Sequence, residues 1–212
     1  YGGSGAYTLD SYKLYDHIFH EGGHATHYWG MVKNFGRSAS DYWWENVKYV
    51  VGNELSNNNA PYGNKTNTGA GRTAVIESWG YYYGNIMTAE RYGSGQFAGD
   101  PNAMQINLSY IKMLENMIPR NDLSIAVLGS WPNYYYTGWI PCGMLYDFTD
   151  LVEITSFTGI TDNVHLDTKT SLCLSLSGGL HNSVPSMVQT ILNRSSYLQG
   201  TEVESLRNQY GY

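Results

Sequence analysis

The chain of 212 residues has little charge, few prolines and almost no cysteine. Only 14% of it is charged, and the balance is acidic, with a formal net charge of −6. The 12 Lys and Arg form no basic cluster, which argues against nucleic acid as a partner, because affinity for a phosphate backbone needs concentrated positive charge. No apolar run approaches the roughly 18 residues that cross a bilayer, so no membrane span is expected. Two cysteines, Cys142 and Cys173, cannot build a disulfide framework; one bridge and two free thiols are both open. Neither stands near a histidine in sequence, and catalysis by a thiol nucleophile is not expected. No signal peptide is visible and residue 1 is Tyr, so the chain reads as a fragment of a longer protein.

What is abundant is apolar and aromatic. Hydrophobic residues make up 42% of the chain, enough to bury a core, and 20 tyrosines dominate the aromatic content. A surface that relies on neutral polar groups suits a secreted or cell-surface protein.

Hydrophobic periodicity gives a mainly α fold class. A first helix is predicted from about Asp10 to Val32, with Asp10 and Ser11 as caps and Leu14, Ile18, Ala25, Tyr28, Met31 and Val32 as its apolar stripe. A second runs from Asp41 to about Leu55, opened by Ser40-Asp41 and rich in Tyr42, Trp43, Trp44, Val47, Val50 and Val51. Residues 56–71, with three consecutive asparagines, Pro61, Gly63 and Gly69, read as a turn-rich stretch, either a cleft loop or a surface insertion. A third helix is expected from about Arg72 to Arg91, ending near Gly93, and a fourth from Asp100-Pro101 to about Met117. Residues 131–136 read as an aromatic loop that could wall a site or simply pack. Asp147 and Asp150 share a face and suit helix capping more than calcium, and shorter helices follow Thr161-Asp162 to near Tyr210.

The chemistry is carried by His20-Glu21-Gly22-Gly23-His24, which fits the spacing H-E-x-x-H. On a helix, His20 and His24 stack on one face about 6 Å apart along the axis, so both rings can reach one metal ion. Glu21 lies about 100° round from His20, suited to take a proton from metal-bound water rather than to be a third ligand. Such a run also arises by chance on surface helices. Gly22-Gly23 inside a helix costs up to about 1 kcal/mol per residue, which implies close approach of a substrate backbone or another helix. A catalytic zinc needs a third protein ligand. Six residues after His24 stands Gly30, which excludes a third histidine there. Glu77, in Ala74-Val75-Ile76-Glu77-Ser78-Trp79-Gly80, is a carboxylate in an apolar stretch that needs a partner, and a cation is one. His17 and His27 flank the pair as outer neighbours or solvated residues, while His165 and His181 fall in weakly patterned regions.

His20-Glu21-Gly22-Gly23-His24 followed by Glu77-Ser78-Trp79-Gly80 resembles the gluzincin branch of zinc metallopeptidases, best known from thermolysin-like enzymes. In outline, residues 138–147 look like the glycine-bearing helix start after the third ligand, and residues 183–212 like the closing helical hairpin of such enzymes. The resemblance implies a zinc cofactor held by His20, His24 and Glu77, Glu21 as general base, and a peptide or protein substrate. It also implies the helical lobe of a zincin-type metallopeptidase spanning 1–212, active-site helix plus glutamate-ligand helix, with an N-terminal lobe missing from this chain. Two positions depart from the family pattern. Tyr81 stands where an aspartate usually orients a histidine, and Trp139 where an oxyanion-stabilising histidine is expected. A nearby hydroxyl, from Tyr134, Tyr135, Tyr136 or Tyr146, is expected to serve instead, with Tyr146 the choice. The alternative is a zincin-like surface domain, weakened in catalysis, with a binding role.

Overall fold

A computed structural model describes residues 11–56, 62–93, 126–128, 135–137, 139–150, 164, 169–194 and 200–212. The elements among them are seven helices and one short strand pair: α1 (Ser11–Phe35), α2 (Arg37–Ser56), α3 (Ala70–Gly93), β1 (Ala126–Leu128), β2 (Tyr135–Thr137), α4 (Met144–Asp147), α5 (Lys169–Leu176), α6 (Val184–Arg194) and α7 (Gly200–Gln209). The fold is mainly helical, as the periodicity predicts. The strands pair antiparallel, Val127 opposite Tyr136, so part of the expected aromatic loop is strand. The predicted helix from Asp100 to Met117 lies outside the described residues, as does Asp10, expected as a cap of the first helix.

α1 stops at Gly36, whose φ of 55° lets its N–H return to the Val32 carbonyl at 2.8 Å. α2 restarts at once, four residues before the expected Asp41, because this one left-handed residue is all the turn requires. The central element is α3, buried on nearly every side. Its Ala70, Ala74, Val75, Trp79, Tyr82, Ile86, Ala89 and Tyr92 join residues of α4 to α7 in the main core. A smaller cluster sits between α1, α2 and α3: Met31, Ala39, Tyr42 and Ile76. α6 and α7 pack together, consistent with the expected closing hairpin.

Two expectations about facing are corrected. Leu14 and Ile18, predicted to line the inner stripe of α1, are about half exposed, and Ala25 is exposed. The face of α1 that meets the core instead carries Gly23, His27 and Met31. On α2 the buried residues are Ala39, Tyr42, Asn46 and Asn53, while Trp44, Val47, Val51 and Leu55 face outward. Asn46 is tolerated inside because its Oδ1 accepts the Thr73 hydroxyl at 2.7 Å, so the buried amide has a partner.

No helix among the described residues is long and apolar enough to cross a membrane.

Candidate metal centre

Among the described residues α1 and α3 make the most extensive helix pairing, and they run antiparallel: Gly84 lies against Asp16 and His20, Gly80 against His20 and His24, and Trp79 against Gly23. Glycine is what lets them approach. A Cβ on Gly84 would stand 3.1 Å from the backbone of His20, and one on Gly23 would stand 2.9 Å from the Tyr83 Cβ. The helix-weakening Gly23 is therefore repaid by close contact with a second helix, one of the two reasons the sequence admits. The Trp79 indole N–H then donates to the Gly23 carbonyl at 2.9 Å, fixing the two helices in register.

That register brings His20, His24 and Glu77 together, with one ligand atom from each within 4.8 Å of the others. The two imidazole Nε2 atoms are 3.0 Å apart, and Glu77 Oε2 is 3.4 Å from His20 Nε2 and 3.6 Å from His24 Nε2. These lengths bracket the roughly 3.3 Å that separates ligands of a tetrahedral zinc ion. A point equidistant from all three atoms lies about 1.9 Å from each, so an ion at about 2.0–2.2 Å fits just off their plane. Two imidazole nitrogens and one carboxylate oxygen are also the donor set that borderline divalent ions prefer.

Electrostatics agree with the geometry. Burial pushes the Glu77 carboxyl up, but the hydrogen bonds and charges of His20 and His24 outweigh it and hold the pKa down to about 2. Glu77 is thus an anion enclosed at 6% exposure, beside two rings that can share a cation with it. Asp16, one turn before His20, is held the other way: burial raises its pKa to about 6, against the pull of His17 and His20.

Aromatic rings fix the imidazoles. Tyr81, at the position where an aspartate was looked for, packs its ring edge-on to His20 with centroids 4.6 Å apart, and Trp43 does the same to His24 at 5.9 Å and to His27 at 5.5 Å. Neither contact was legible in the sequence, where Trp43 and Tyr81 are two among many aromatics.

The remaining predicted residues fall in different settings. Glu21 is exposed at the surface of α1 next to the triad. Tyr146 is buried on α4 within the main core, and a hydroxyl that the sequence did not mark, that of Tyr62, donates to Glu77 Oε2 at 3.1 Å. Sequence reasoning passed over Tyr62 because it lies in the polar, turn-rich stretch. Trp139 is buried and donates its indole N–H to the Gly63 carbonyl at 3.1 Å. His17 is exposed, but His27 is enclosed at 1% exposure, which removes the solvated reading for it. His181 is buried too, its ring nitrogens 3.4 Å from the Ser186 hydroxyl and from the Ser175 carbonyl. Asp147 is buried and accepts the Tyr210 hydroxyl at 2.6 Å. Both cysteines are free, Cys142 buried and Cys173 half-buried. Residues 131–134 and His165 lie outside the described residues.

No family model matches this chain, and no curated protein or solved structure matches it either.

Proposed function

We propose that this chain is a zinc metalloendopeptidase of gluzincin type, in which His20, His24 and Glu77 hold the ion and Glu21 is the general base. The observation that supports this most is the meeting of three ligand atoms from two helices at the edge lengths of a tetrahedral site. A zinc ion held by His20, His24 and Glu77 would supply a Lewis acid to activate the scissile carbonyl and water. Glu77 contributes the single negative charge of the ligand set, and His20 and His24 hold its carboxyl below the ordinary range. The rings of Tyr81 and Trp43 hold the imidazoles in line while they ligate. Glu21, exposed one residue beyond His20, is open to water and substrate; it takes the proton from the attacking water and passes it to the leaving nitrogen. The substrate is a peptide or protein, and the sparse charge fits a secreted or cell-surface setting.

A second reading, a zincin-like surface domain that keeps the metal but has lost efficient catalysis, is favoured by one observation. Among the described residues His24 Nδ1 is buried without a hydrogen-bond partner, whereas a ligating histidine ordinarily donates its second N–H to a carboxylate or carbonyl. Hydrolysis of a mixed fluorogenic peptide library by the zinc-loaded protein and by Glu21→Gln separates the readings. The peptidase reading predicts turnover that falls about 10²–10⁴-fold in the variant at equal zinc content. Bound zinc without turnover in either protein favours the second reading, and equal turnover in both contradicts the first.

A further inference from the structure

Tyr62 does more than touch Glu77. Its hydroxyl donates to Oε2, the oxygen that faces both histidines, so it addresses the atom that would ligate the ion. The segment that delivers it is fastened at several points. The Tyr49 hydroxyl donates to the Tyr62 carbonyl at 2.8 Å, and the Trp139 indole donates to the next carbonyl, that of Gly63. Two residues on, Lys65 donates to the Gly211 carbonyl at 2.6 Å and stands 3.8 Å over the Tyr212 ring. The Tyr212 hydroxyl donates in turn to the Trp139 carbonyl. The contacts therefore close a circuit from the turn through Trp139 and Tyr212 back to the turn. Gly63 belongs to the device: its φ is 61°, and a Cβ there would stand 2.8 Å from the Tyr49 hydroxyl.

We propose that Tyr62 is a positioning residue of the metal centre, a hydroxyl held by a fixed turn that pins the ligating oxygen of Glu77 toward His20 and His24. This rests on reading those three residues as metal ligands. A glutamate side chain has three rotatable bonds before its oxygens, and Glu77 reaches the histidines across a helix interface. Unpinned, it turns Oε2 away for part of the time, and each such excursion removes one of three ligands. Tyr49, Trp139, Lys65 and Tyr212 act through it by holding the turn.

The test uses the whole chain and zinc alone as ligand, with Kd read by competition against a chromophoric chelator. Tyr62→Phe keeps the ring and removes only the hydroxyl, and its Kd is expected to rise about 10–100-fold. Lys65→Met, remote from the ion, is expected to weaken zinc in the same direction by a smaller factor, and to add nothing further in the Tyr62→Phe background. Metal-free melting temperatures separate positioning from packing: the proposal predicts that Tyr62→Phe changes the zinc-induced rise in Tm more than it changes the Tm of the metal-free protein. An unchanged Kd in Tyr62→Phe, or a loss of metal-free stability with unchanged Kd, overturns the proposal while leaving the metal site intact. No zinc binding by the unsubstituted protein overturns the metal reading beneath it.

Discussion

Gly80 lies directly against the imidazoles of His24 and His20: a Cβ on it would fall 2.5 Å from Cε1 of the first and 2.8 Å from Cε1 of the second. The residue three places after the glutamate is thus the space that both rings occupy. Gly80→Ala is expected to displace both histidines and weaken zinc by at least about tenfold, judged by ligand-orienting contacts elsewhere. Overpacking of this kind costs about 1–3 kcal/mol, so the variant still folds. Zinc titration alongside urea unfolding of the metal-free protein checks both parts.

Trp79 joins the helices through its indole. Replacing it with Phe leaves the Gly23 carbonyl without that donor and opens space where a large ring is buried at 2% exposure. The expected loss is about 1–3 kcal/mol, part hydrogen bond and part packing. Urea unfolding of the metal-free protein measures it, and the loss should appear at every pH where the protein is folded.

Acid should unfold the metal-free protein in two stages. His27 is enclosed, and burial pushes its pKa from 6.5 down to about 3, the Leu176 backbone offsetting this in part and His181 and His24 adding to it. A histidine with a lowered folded pKa binds fewer protons folded than unfolded, so its contribution is present above about 6.5 and is lost as the pH falls toward 3. Glu77 has the same sign by the carboxylate route: its folded pKa of about 2 lies below the ordinary 4.5, so its contribution is lost as the pH falls from about 4.5. Asp16 acts the other way, since its raised pKa of about 6 makes the folded protein bind that proton first, so stability against urea should decline gently between about 6.5 and 4.5 and more steeply below. A His27→Gln variant should lose the first part of the decline and keep the second.

The triad was legible for specific physical reasons. His20 and His24 are marked by helical spacing, and Glu77 by the mismatch between an acid and its apolar neighbours, a mismatch that burial makes costly without a cation or paired ring. The end of the third helix was legible because a glycine closes the run at Gly93, whereas the first runs past the expected Val32 to Phe35 and the second begins at Arg37 instead of Asp41. The facing of α1 was not, because the glycines and histidines that pack on α3 carry no aliphatic signal, while Leu14 and Ile18 carry one and face outward. Tyr62 was hidden for a related reason. A residue in a polar turn gains its role only when distant partners, Tyr49, Trp139 and Tyr212, fix that turn over the triad.

The account stands most directly on zinc stoichiometry measured by elemental analysis after zinc loading and exhaustive dialysis. It predicts one zinc per chain for the unsubstituted protein and substantially less for both His24→Ala and Glu77→Gln. Zinc retained equally by all three proteins, or absent from the unsubstituted one, contradicts it.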